Sequence, residues 1–432
     1  MALARRPSPG FFAFATLVLC ACPLGAQPQP PGEFQDLHDA LEAKLERFDR
    51  SLDARWDGTP YAASFAAEVL SANGNRGRQL LAAQTLTSVR LELDRLHSLG
   101  LTAVTVAIPF PLLYPPFLAW NGTTSDFQGL VAFFSAVAQE VHARGMKLAV
   151  ESGVLFPGFY STGSGLDVEG YYPTLSAVEF VSGRASVIST IVERIGPDII
   201  NVGSEPDTEA RLSGQAFLRT PSGFAGMVRT FVDQLAAAGL TNVPVVAGSG
   251  TWLYGASAYV EELCAIPGLY GIDLHVYPVN MCYLDQALAL ADLAHSHGKR
   301  VTMLEAWLQK ERDSELSVVD PAVDPALFAR DAYDFWAPLD SAFLATMVKY
   351  AHVARLEYFS PFWSRYFFAY LDYDQVQASD PPLTDAQIVG FSATAAASAL
   401  LAGRLTDTAR AYTRLIGEPL FQPNVRRHLQ QR

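Results

Sequence analysis

Cysteine is scarce in this chain: there are four in 432 residues, and no two stand in a Cys-x-x-Cys spacing. That excludes a zinc ribbon and a thioredoxin-like redox site. Gly-x-Gly-x-x-Gly is absent, which argues against dinucleotide binding, and so is Gly-x-Ser-x-Gly, the nucleophile elbow of α/β-hydrolases. Metal-dependent barrel hydrolases need histidines gathered at strand ends. The one His-x-His, His295 and His297, falls in "LAHSHGK" near a helix C-terminus, where positive charge is favoured without any metal. No metal and no other cofactor is expected. Charge is sparse as well, with 17% of residues charged and a formal net charge of −13. Nucleic acid is a poor partner for such a chain, since neutralising phosphates takes clustered Lys and Arg. Polyanionic substrates are repelled at long range, so neutral ones fit best.

What the chain does have is apolar surface. Half the residues are hydrophobic, enough for a substantial core. The N-terminus reads as an export signal over 1–26: Arg5 and Arg6, then "FFAFATLVLCAC", too short to span a bilayer, then a small-residue site ending at Ala26. Cleavage there gives a secreted or periplasmic protein with no membrane contact. A competing reading takes "LCAC" as a lipobox, with Cys22 lipidated and the protein tethered. Cys264 and Cys282 remain after cleavage, either as a disulfide of an oxidising compartment or as two separate thiols. A Pro-rich spacer and a helix with Leu37, Leu41, Leu45, Phe48 and Leu52 at helical spacing fill 27–58.

From residue 59 to 432 the chain keeps one beat: a strand-like apolar run, a loop rich in Gly, Pro and aromatics, then an amphipathic helix. The runs fall at 61–71, 101–110, 146–156, 198–205, 243–252, 270–278, 300–307 and 355–363. Eight strands alternating with helices predict an α/β fold, a (β/α)8 TIM barrel with an N-terminal helical extension.

Active sites of such barrels form at the C-terminal strand ends. There the sequence offers Glu151 on strand three and Glu205 after strand four. Strand six brings His275 and Tyr277, strand seven Glu305 with Trp307, and strand eight Trp363. Two carboxyl groups from different strands are what glycoside hydrolysis needs. A separation near ~5 Å suits retention of configuration, and roughly 6.5–9.5 Å suits inversion.

A Glu in "GSEP" closing strand four, a His-x-Tyr-Pro on strand six and a Glu ending strand seven resemble the clan A glycoside hydrolases. The resemblance covers roughly residues 60–400. It implies a retaining glycosidase acting on a carbohydrate substrate, with Glu205 as general acid/base and Glu305 as nucleophile. Two features depart from the clan. Ser204 stands where it usually has an Asn that bonds the sugar 2-hydroxyl, and "AIPFP" offers no counterpart to its usual Arg near the end of strand two.

Around that pair Tyr277 is expected to donate a hydrogen bond that keeps Glu305 ionised. His275 is expected to meet a sugar hydroxyl or a carboxylate. Trp307 and Trp363 offer flat faces on which a pyranose ring can stack, and Trp120 and Trp252 are lesser candidates of the same kind. Glu151 reads equally as a substrate contact or a structural ion pair. The plainer alternative for the whole chain is a catalytically silent, carbohydrate-binding barrel.

Overall fold

The computed structural model describes residues 29–156, 165–316 and 324–417. The export signal and Cys22 lie outside the described residues. Eight parallel strands form one sheet: β1 (Ser64–Phe65), β2 (Ala103–Ala107), β3 (Lys147–Glu151) and β4 (Ile199–Asn201), then β5 (Val245–Gly250), β6 (Gly271–Val276), β7 (Arg300–Ala306) and β8 (Leu356–Pro361). Each falls inside one of the apolar runs, and helices lie between them.

The sheet closes on itself. Beyond its two residues β1 continues as single bridges: Ala66 N–H donates to Phe359 O on β8 at 2.8 Å, and Thr105 N–H of β2 donates to Ala67 O at 3.0 Å. With β8 on one side and β2 on the other, no edge is left unpaired among the described strands. The protein is a (β/α)8 barrel with a helical N-terminal part.

Inward positions alternate along each strand. Ala66, Ala103, Ala149, Ile199, Val246, Leu304 and Tyr358 pack together as one apolar layer inside the barrel. One step further toward the C-terminal ends the same alternation presents polar groups: Glu68, Thr105, Glu151, Asn201, Asp273 and His275, all buried. The site is therefore built directly on an apolar floor.

Outside the barrel, helix Gly32–Arg55 buries Leu37, Leu41, Leu45, Phe48 and Leu52 along one stripe. It packs on helix Ala337–Val353, and Lys349 ties the two together through Asp49 at 2.5 Å and Asp53 at 2.7 Å. Cys264 is buried, Cys282 is exposed, and the two are separate thiols.

Candidate active site

Two local irregularities aim the acids. After β4 the chain turns at Gly203, whose φ of 149° is a conformation that side-chain-bearing residues rarely adopt. A Cβ there would also press on Glu209 and Phe224. Ser204 and Glu205 follow, and helix Pro206–Ser213 starts immediately after. On β7 the register slips: Asp273 pairs with Thr302, but His275 pairs with Glu305. This β-bulge inserts one residue, so Glu305 turns inward where strict alternation would send it outward.

Glu205, Glu305, Glu151, Ser204, His275 and Tyr277 line one cleft of about 750 Å³. His275 sits at its centre. Its Nδ1 lies 2.9 Å from Glu205 Oε1 and 3.6 Å from Glu305 Oε2. The two carboxylate oxygens are thus no further apart than 2.9 and 3.6 Å laid end to end. Its Nε2 is 2.9 Å from Asp273 Oδ2 and 3.7 Å from Glu151 Oε1. The second is too long for a hydrogen bond, and both act on His275 as ionic contacts.

Burial opposes a charge on His275. The field of Glu305 and the contacts with Asp273, Glu151 and Glu205 nevertheless hold it well above its ordinary pKa, so it is an imidazolium. Burial also drives Glu305 well above the usual carboxyl range. The imidazolium of His275 resists this, the charges of Glu151 and Glu205 add to it, and the Tyr277 hydroxyl, donating to Oε2 at 2.5 Å, resists it. Tyr277 makes the expected bond, but the bond does not outweigh burial and the surrounding acids. Glu151 is raised to about 7, chiefly by burial. The cluster therefore holds protons, and its members titrate together.

Ser204 lines the cleft, but its hydroxyl faces the barrel, 3.0 Å from Asn201 Oδ1 and 2.9 Å from Asp273 Oδ2. Trp363 lines the cleft while only 7% exposed, with the Arg365 guanidinium 4.7 Å over its ring. Trp307 does not reach the cleft and cannot serve as a stacking platform. It is 0% exposed, stacked on Tyr366 at 5.6 Å and flanked by Phe343 and Phe367 between barrel and helices. The segment after Ala306 carries it away from the mouth. Trp120 is half exposed beside Tyr171, away from the cleft. Trp252 lines the cleft, and its indole N–H donates to Asp207 at 3.0 Å.

Several groups escaped the sequence reading. Asp273 lies two residues before His275 on the same face and gathers Asn201, Ser204, Thr302 and the Leu304 N–H around its carboxylate. Its alternation with His275 and Tyr277 was a usable signal. Arg184 comes from helix Ala177–Arg194, and nothing local marks it. Its Nη2 donates to Ser152 O at 2.9 Å and Val202 O at 2.8 Å, clamping the ends of β3 and β4, while Glu209 takes up its charge. Glu68, on the inward alternation of β1, reaches the cleft and is raised to about 8, chiefly by burial.

Glu151, His275 and Glu305 each bring one potential metal-ligand atom within 4.8 Å of the others. A metal held there would have to displace a proton from the His275 imidazolium. His38, Asp39 and Glu42 form the other such group among the described residues, on the N-terminal helix.

No family model matches the chain, and no curated protein does. Among solved structures it is similar to the exo-β-1,4-mannosidase Op5Man5 from Opitutaceae bacterium strain TAV5, at 14% identity over 84% of this chain and 60% of that one, TM-score 0.49. It therefore spans only 60% of that mannosidase's length. It is also similar to a GH5_18 protein from Streptomyces cattleya in complex with Manβ1-4GlcNAc, at 14% identity over 82% and 80% of the chains, TM-score 0.47. A GH113 β-1,4-mannanase matches at 12% identity over 78% and 99%, TM-score 0.43. Likenesses this distant leave the chemistry to be read from the side chains of the site.

Proposed function

We propose that the chain is a retaining glycoside hydrolase with Glu205 as acid/base and Glu305 as nucleophile. One observation carries the reading: both carboxylates contact the same imidazole nitrogen, at 2.9 and 3.6 Å, at the mouth of a barrel cleft. Their nearest oxygens thus fall at or below the lower edge of the roughly 6.5–9.5 Å that an inverting pair needs for its water.

In the first step a Glu305 oxygen attacks the anomeric carbon and forms a glycosyl ester. The bond to the leaving oxygen breaks as Glu205 gives that oxygen its proton. In the second step Glu205, now ionised, takes a proton from water, the water oxygen attacks the anomeric carbon, and Glu305 leaves as carboxylate. The pair must therefore carry one proton between its two members. The raised Glu305 fits a pair that holds a proton at rest. Tyr277 O–H and the His275 imidazolium stabilise the Glu305 anion once that proton moves to Glu205.

A second reading, a silent carbohydrate-binding barrel, is favoured by the inward-turned Ser204 hydroxyl, which leaves no donor there for a sugar. Turnover of an aryl glycoside panel by the wild type, with Glu205→Ala and Glu305→Ala alongside, tests both. Wild-type turnover retained by both variants would contradict the assignment of roles. Sugar binding without any turnover by the unaltered chain would favour the silent barrel.

A further inference from the structure

Beside the proposed catalytic pair, the inner wall of the cleft carries two acids that the described residues leave short of hydrogen bonds. Glu68 is 1% exposed and Glu151 is 6% exposed, and both line the cleft. Each has one oxygen satisfied: Asn73 Nδ2 donates to Glu68 Oε1 at 2.5 Å, and Asn201 Nδ2 donates to Glu151 Oε2 at 2.6 Å. The other oxygens, Glu68 Oε2 and Glu151 Oε1, receive no hydrogen bond from any described residue. A buried carboxyl oxygen left without a donor is costly, and native proteins rarely leave two of them side by side.

What separates them is small. Glu151 pairs in register with Ala107 on β2, and Glu68 bridges Thr105, the preceding inward residue of the same strand. The two acids thus flank the end of β2, where Ala107 offers a single methyl group to the cleft. Among the described residues no lysine lines the cleft, and its cations are Arg76, Arg365 and His275. Arg365 acts on Glu68 only through its field, and the single charge of His275 is divided among Glu205, Glu305, Asp273 and, at 3.7 Å, Glu151.

We infer that the gap above Ala107, between Glu68 and Glu151, receives a primary ammonium carried by the substrate, which makes the preferred substrate a glycoside of an unacetylated amino sugar. The substrate class rests on the glycosidase reading above, but the binding preference does not depend on turnover. An ammonium has three donors and one charge, which serves both orphaned oxygens and returns to the two acids the charge that burial denies them. Its place on the sugar follows from distance. One oxygen of Glu151 lies within 4.8 Å of one of Glu305, so a cation touching Glu151 belongs to the ring being cleaved and not to a distant unit. The net charge of −13 repels polyanions and attracts such a cation.

The test is equilibrium binding to the full chain. Methyl β-glycosides of glucosamine, galactosamine and mannosamine are titrated calorimetrically against those of glucose, galactose and mannose. At least one amino glycoside is expected to bind about tenfold or more tighter than its hydroxyl counterpart. In Glu68→Gln that ratio should collapse toward unity, with the neutral glycoside's own affinity as the control for folding. Ratios within about twofold for every pair, tighter binding of the neutral sugars, or an undiminished ratio in Glu68→Gln each overturn the inference. Preference without turnover would instead count against the glycosidase reading, and turnover without preference against this one.

Discussion

Arg184 and His275 are both buried cations, 1% and 4% exposed, yet they meet different surroundings. Arg184 has one acid, Glu209, and two carbonyls at good distance, so its charge is met one for one. His275 faces Glu151, Glu205, Asp273 and Glu305 at once, and one positive charge cannot balance four acids. Around Arg184 the charge is balanced inside the protein, whereas around His275 acid is left in surplus, the arrangement that the proposed function would use.

The largest expected effect is on the surplus cluster. Glu205→Ala should lower kcat/KM on a glycoside with a poor leaving group by about 10²–10⁴-fold, with Glu305→Ala at least as damaging. Steady-state kinetics check this, and both variants should stay folded. The balanced site should break the other way. Glu209→Gln leaves the Arg184 guanidinium buried without its acid and should cost about 3–5 kcal/mol in denaturant unfolding.

The two tryptophans sharpen the contrast. Trp307→Ala should cost about 3–5 kcal/mol of stability, because it empties a fully buried site, while KM for the folded enzyme holds. Trp363→Ala should raise KM severalfold with a smaller loss of stability. A thermal scan beside a KM measurement separates the two.

The smallest effect is a slope. Glu68 has its folded pKa raised to about 8 from an ordinary 4.5. The folded state therefore binds more protons than the unfolded one between those values, so this group's contribution is complete below 4.5 and is lost as pH rises through 8. Glu68→Gln should shrink the fall in Tm between pH 5 and pH 9 by a few degrees. An unchanged slope would mean that Glu68 is ionised in the folded protein.

The barrel was legible because eight apolar runs and their helices repeat a period that local composition records. Glu205 and Glu305 were legible as strand-end acids, and His275 and Tyr277 as partners on one strand face. What brings them together was not. Glu305 turns inward through a register slip on β7 that no residue type announces. The clamp by Arg184 comes from the helix that links β3 to β4, at a position that no local pattern marks. Trp307 was misplaced because proximity in sequence to a strand-end acid says nothing about where the next turn of chain goes. Glu68 could have been found by counting alternate residues from Ser64 through Ala66, had the short first strand been given its inward face.

The central claim is that Glu305 attacks the sugar and Glu205 manages the proton, so that configuration is kept. The most direct measurement is proton NMR of the first-formed anomer during hydrolysis of a β-glycoside by the wild type. The account predicts that the β-anomer appears first and the α-anomer grows in only by mutarotation. An α-anomer formed first would contradict it.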